Sequence, residues 1–153
     1  MADPIKSPLR VVIDVNLLVR SVLAPTGGSA LLIQKFKQGV FLSITCRKQL
    51  HELYRVLGYP RLLRRHRITR RQRQRITTQL YKRSVWVEPR GQLAVCRDPN
   101  DDYLIEIALL GRATCLVSED NDFHSDSEIV EFLNRRGIHL LHLSEFLAIL
   151  QDR

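Results

Sequence analysis

The chain opens on a short apolar, largely β-branched run, Leu9 to Ile13, that stops at Asp14. A run with so little polar alternation is what a strand buried on both faces requires. Asn16 to Leu23 follows as a helix, closed by Ala24-Pro25-Thr26-Gly27-Gly28, where proline and paired glycines break the pattern. A second helix is predicted from Ser29, as its cap, to Gly39, as its stop, with Leu32 and Phe36 on one face. Val40 to Thr45 is the next strand. From Arg47 to Leu57 the apolar positions Leu50, Leu53, Tyr54 and Leu57 keep the i, i+3, i+4, i+7 spacing of an amphipathic helix, which Gly58-Tyr59-Pro60 ends.

An arginine-rich stretch from Arg61 leads to Thr69, the expected cap of a polar helix to about Lys82 whose thin apolar face is anchored by Ile76 and Leu80. Val85 to Val87 reads as a short strand. Asp98-Pro99 opens a strongly apolar helix through Leu104, Ile105, Ala108 and Leu109. Thr114 to Val117 is a buried strand, followed by an acidic loop, a helix near Ser127 to Arg136, a strand from Ile138 to Leu141 and a closing helix from Ser144. Strands that alternate with helices predict an α/β protein of three layers, αβα, around a mainly parallel central sheet. Residues 1–8 read as an N-terminal tail and 9–150 as one domain.

Composition changes this picture through charge. The 153 residues carry a formal net charge of +8, which favours an anionic partner, nucleic acid first. Arg61 to Arg75 contains eight arginines and no acid, whereas Asp98 to Asp102 and Glu119 to Asp126 are acidic islands. Cys46, Cys96 and Cys115 lack zinc-binding spacing and read as reduced thiols of a cytoplasmic protein. Met1 to Arg10 has no apolar core of a signal peptide, and no stretch approaches the ~18 apolar residues of a membrane span, so neither secretion nor membrane insertion is expected.

Ligands of open α/β sheets sit beyond the carboxyl ends of the strands, and Asp14 and Asp120 both follow such ends. Asp98, Asp101 and Asp102 lie at a helix start, and Glu52 lies on the helix between the second and third strands. Carboxylate oxygens suit a hard cation, Mg²⁺ or Mn²⁺, and the chemistry implied is hydrolytic phosphoryl transfer. An acidic cluster repels a polyanion unless metal neutralises it and basic residues hold the substrate nearby, which accounts for the charge islands. Each acid also has a plainer explanation. Asp14, Asn16 or Asp98 can cap the helix that follows, Glu52 points away from its apolar stripe and can be solvated, and Asp120 and Asp122 can be loop residues.

Taken together, Val11-Val12-Ile13-Asp14-Val15-Asn16, Leu50-His51-Glu52-Leu53, Cys96-Arg97-Asp98-Pro99-Asn100-Asp101-Asp102 and Leu116-Val117-Ser118-Glu119-Asp120-Asn121-Asp122-Phe123 resemble the PIN-domain family. The likeness is to its VapC-like branch, toxin components of bacterial toxin-antitoxin systems, and spans about residues 9–145. It implies a Mg²⁺- or Mn²⁺-dependent endoribonuclease acting on single-stranded RNA, with a cognate antitoxin protein and a homodimer as expected partners. It also implies a metal-binding and catalytic quartet of Asp14, Glu52, Asp120 and one acid of the middle group. Asp101 is preferred there, because its spacing to Leu104 and Ala108 resembles the family's acid at that helix start. Asn16, Asp98, Asp102, Ser118 and Asp122 are supporting candidates. Two features depart from the family pattern: Glu119 adds a negative charge to the loop, and Gly111 comes one residue early.

Arg64, Arg65, Arg67, Arg70, Arg71 and Arg73 form the expected RNA contact, gripping phosphates without reading sequence. A solvated helix face, or a surface for an acidic antitoxin, explains the same run. Two other functions fit the acids: a receiver-like signalling domain, for which Lys6, Lys35, Lys37, Lys48 and Lys82 are poorly positioned, and a PIN fold that binds RNA without cleaving it.

Overall fold

Side chains of a strand alternate between the two faces of its sheet, and the first strand, β1 (Arg10–Ile13), divides accordingly. Val11 and Ile13 join one buried cluster and Val12 the other. Helices must therefore cover both faces, which gives the expected three layers. A computed structural model of the chain describes residues 8–153. Residues 1–7 of the expected tail lie outside them.

The order is β1, α1 (Val15–Leu23), α2 (Gly28–Lys37), β2 (Leu42–Thr45), α3 (Arg47–Leu57), α4 (Pro60–His66), α5 (Arg70–Arg83) and β3 (Val85–Trp86). A 3-10 turn (Pro99–Asp101) then leads into α6 (Asp102–Leu110), β4 (Cys115–Val117), α7 (Asn121–His124), α8 (Ser127–Asn134), β5 (His139–Leu141) and α9 (Leu143–Gln151). The strands form one five-stranded sheet in the order β3-β2-β1-β4-β5, and every neighbouring pair is parallel. The chain leaves β1 toward β2 and β3 and returns on its other side as β4 and β5, so the strand order reverses at β1. The crevice beyond the ends of β1 and β4 is thus the topological switch point.

Leu17, Leu32, Phe36, Leu53, Leu80 and Phe146 pack on the Val11/Ile13 face, while Ile105, Ala108, Phe123 and Leu133 pack on the Val12 face. Helix α6 lies close on β2: a Cβ on Gly111 would stand 2.7 Å from Ile44 Cγ2, so glycine is required there. The left-handed residue is its neighbour Arg112, at φ 53°, and the early glycine of the sequence therefore serves helix-to-strand packing.

Several sequence expectations are corrected. Gly27, not Ser29, caps α2, and Ser29 is buried inside the helix with its hydroxyl unpartnered. Pro60 does not only stop α3; as the first residue of α4 it also starts the next helix, where its missing N–H costs nothing. The acidic loop after β4 contains the four-residue helix α7. Thr69 does cap α5: its hydroxyl accepts from Gln72 N–H while the Gln72 side chain accepts from Thr69 N–H, the reciprocal capping box.

Candidate metal centre at the carboxyl ends of the strands

Asp14 is the first residue past β1, and its N–H donates to the Val117 carbonyl at 3.0 Å, extending the β1–β4 ladder by one step. The ladder fixes its backbone; the side chain is fixed by Ser118, which is fully buried just past β4 and donates from Oγ to Asp14 Oδ2 at 2.7 Å. Ser118 Oγ also accepts from Asp120 N–H at 3.0 Å, so one hydroxyl ties both acids to the rim. Asp14 Oδ1 accepts from Asn16 N–H at 3.3 Å, and Asp120 Oδ1 accepts from Asp122 N–H at 2.9 Å. Capping and clustering are therefore not alternatives: Asp14 caps α1 and Asp120 caps α7 while both stay on the rim. Asn16 and Asp122 contribute their backbone N–H groups, and both are exposed.

Glu52 comes in on α3, whose position against β1 is set by a buried pair. Thr45 Oγ1 donates to Gln49 Oε1, and Gln49 Nε2 donates to the Ile13 carbonyl, each at 2.7 Å. Glu52 is half-buried rather than freely solvated, and its Oε2 accepts from the Tyr103 hydroxyl at 2.8 Å. Burial and the Glu52 charge push the Tyr103 hydroxyl far above its ordinary range, so it remains a donor.

The three middle acids have different surroundings. Asp98 is exposed and caps the 3-10 turn, accepting from Asn100 N–H at 2.9 Å. Asp102 is buried and turned inward, where Oδ1 accepts from Val95 and Cys96 N–H and braces the strand-to-helix connection. Asp101 faces the other acids. Partial burial, reinforced by Asp98, Asp14, Asp120 and Glu52, pushes its carboxyl up to about 6. Burial likewise raises Asp14; Ser118 and Asn16 oppose the shift, and Asp120 and Glu52 add to it. These two acids report a single acidic field.

Glu52, Asp98 and Asp101 line one open cavity of about 710 Å³, together with Arg47, Lys48, His51, Arg55, Glu88 and Asn100. Sequence reasoning gave Tyr103, Gln49, Lys48 and Glu88 no part in this site. Glu88 alone carried a signal, because it is an acid two residues past a strand end. Glu119, the extra acid of the loop, is turned away from the field: it accepts from Leu143 N–H at 2.6 Å and meets His142 Nδ1 at 3.2 Å, holding the start of α9. Its slight burial works the other way, but these contacts keep it below the ordinary carboxylate range.

The arginine run divides as well. Arg64, Arg65, Arg67, Arg70 and Arg71 are exposed. Arg73 is committed to the fold: its Nε donates to the Tyr54 carbonyl at 2.6 Å and its guanidinium stacks 3.5 Å from the Tyr54 ring centre.

The donor set fits a hard divalent cation, being carboxylate oxygen throughout and surrounded by mutual repulsion that a cation would relieve. Among the described residues, no three acid, histidine or cysteine side chains close into a ready-made cage.

The PIN domain family profile matches residues 10–122, most of the chain, and the protein belongs to that family. No curated protein matches it. PIN domains are generally nucleases that use divalent metals, so the fold is a nuclease-type fold and a hydrolase at that level of description. The receiver-like alternative is set aside by this match. Among the described residues, no single helix is long and apolar enough to cross a membrane.

Proposed function

We propose that the protein is a Mg²⁺- or Mn²⁺-dependent endoribonuclease acting on single-stranded RNA, and that it is the toxin of a toxin-antitoxin pair. The observation that carries the nuclease reading is the shared hydroxyl of Ser118, which holds Asp14 and Asp120 together where Asp101 already senses both charges. Asp14, Glu52, Asp101 and Asp120 would hold the metal. When bound, it would neutralise the rim and supply an activated water for attack on phosphorus.

The chain's own residues do the rest. Ser118 orients Asp14, and Tyr103 orients Glu52, each by a hydrogen bond that leaves the carboxylate further lone pairs for a cation. Arg47, Lys48 and Arg55, on the wall of the same cavity, supply the positive field that a phosphodiester needs beside an acidic rim. The toxin reading rests on the family resemblance and on a basic surface suited to an acidic antitoxin.

The purified protein is expected to cleave single-stranded RNA with Mg²⁺ or Mn²⁺ and to stop when EDTA is added. Asp14→Asn is expected to abolish cleavage while its melting curve stays cooperative. Undiminished cleavage by that variant overturns the assignment, and tight RNA binding without any cleavage would instead make this a binding domain.

A further inference from the structure

Of the chain's four tyrosines and one tryptophan, only Tyr103 is buried. Tyr54, Tyr59, Tyr81 and Trp86 are 37%, 41%, 63% and 40% exposed, and all four stand around two adjoining cavities between α3, α5 and β3. One, of about 830 Å³, is lined by Tyr54, Tyr59 and Tyr81 with Arg55 and Arg73. The other, of about 630 Å³, is lined by Tyr81 and Trp86 with Arg47 and Lys82. Neither contains an acid.

Both run into the carboxylate cavity: His51 lines all three, Arg47 is shared with the Trp86 side and Arg55 with the Tyr54 side. Charge therefore reverses within a short distance, from acids at the rim to cations with aromatic rings beside it. The rings are also held ready. Trp86 Nε1 donates to the Tyr81 carbonyl at 2.9 Å, and the two rings meet edge to face at 5.2 Å. Tyr54 is clamped by Arg73. Folding gains little from leaving the polar-tipped aromatics together in water, whereas a chain of bases on a phosphate backbone needs π-faces beside fixed cations.

We infer that this groove is the path by which single-stranded RNA passes from the carboxylate rim, with bases stacked on Tyr81 and Trp86 and phosphates held by Arg47, Arg55 and Lys82. The inference rests on the reading of the rim as a ribonuclease centre and assigns its substrate track to the α3–α5 groove rather than to the exposed arginines of α4. Every base offers a face to stack, so such a track would accept RNA of varied sequence.

Trp86 is the only tryptophan, so its emission reports the groove directly. The full-length protein is titrated in EDTA with oligoadenylate and, separately, with inorganic polyphosphate. Oligoadenylate is expected to quench Trp86, and polyphosphate to bind without quenching. Tyr81→Leu, at a residue too exposed to threaten folding, is expected to weaken oligoadenylate about 5- to 150-fold for the loss of one stack, with its salt slope unchanged. Unchanged emission on RNA binding, equal quenching by polyphosphate, or wild-type affinity in Tyr81→Leu overturns the proposal. So does an acidic, apolar peptide that quenches Trp86 where oligoadenylate does not, which would give the groove to a protein partner. Metal-dependent cleavage that survives those results leaves the nuclease reading standing without the groove. Quenching by RNA that the protein never cleaves does the reverse.

Discussion

At the carboxylate rim, Asp14 is buried and has a hydrogen-bond partner on each oxygen, whereas from Arg61 to Arg75 every arginine except Arg73 is exposed. Like charges crowd both regions, but water screens the arginines and largely leaves the acids to one another. Asp101, pushed up to about 6, registers that crowding. In the arm that carries these arginines, α4 buries no residue, and α5 reaches the core through Ile76 and Leu80. Charge held by the fold is oriented and costs stability until a counterion arrives. Charge carried on a solvated helix costs little and orients little.

Cutting the arm from the core is the strongest way to break this comparison. Leu80→Ala is expected to cost about 2–5 kcal/mol, a fall in melting temperature of about 4–20 °C, while Arg75→Gln stays within about 0.5 kcal/mol. Thermal melts of both decide it, and equal melting temperatures would show that α5 is not anchored through Leu80.

At the rim, Ser118→Ala removes the hydroxyl that joins Asp14 to Asp120. Mn²⁺ affinity and cleavage are expected to fall about 10- to 100-fold, the usual cost of losing a residue that orients a ligand. A Mn²⁺ titration within twofold of wild type would mean that the serine only fills space.

Next in size is a pH effect. Without metal, folded Asp101 keeps its proton up to about pH 6, whereas the unfolded chain loses it near the ordinary 3.8. The folded state therefore binds more protons in that window, and stability falls as pH rises from about 4 to about 6. Asp101→Asn is expected to reduce that slope, leaving the share that the raised Asp14 contributes, and to raise the metal-free melting temperature at neutral pH, by about 2–4 °C for each kcal/mol of repulsion relieved. It should also reduce the rise produced by Mn²⁺. Asp98→Asn is expected to keep the cap, because Asn caps nearly as well as Asp, and to relieve only the part of the Asp101 shift that the Asp98 charge causes. Calorimetry in EDTA at several pH values compares them, and a slope undiminished in Asp101→Asn removes this residue from the shared field.

The smallest expected change separates the arginines. Neutralising Arg70 and Arg71 should lower the salt slope of RNA binding by about 0.7 for each phosphate no longer held. Arg73→Gln should leave the slope alone and cost about 1 kcal/mol of stability, because the Tyr54 ring and carbonyl are left without their guanidinium partner. Anisotropy across a salt series, with melts of the same proteins, tells the two apart.

Short-range pattern is enough to read much of this molecule. Helix α3 runs over the residues its apolar spacing predicts, Thr69 caps α5, and Asp14 and Asp120 follow strand ends, because periodicity and capping involve groups a few residues apart. Pro60 and Ser29 mislead because a proline fits a helix start as well as a stop, and because a serine cap and a buried helical serine look alike in sequence. The contacts that build the rim span much longer separations: Ser118 reaches Asp14 across 104 residues and Tyr103 reaches Glu52 across 51. Strand register and helix packing alone bring those atoms within 3 Å, so the Asp98 cap, a contact two residues long, was legible in the sequence, whereas only the tertiary structure turned Asp101 to the field and Asp102 to the interior.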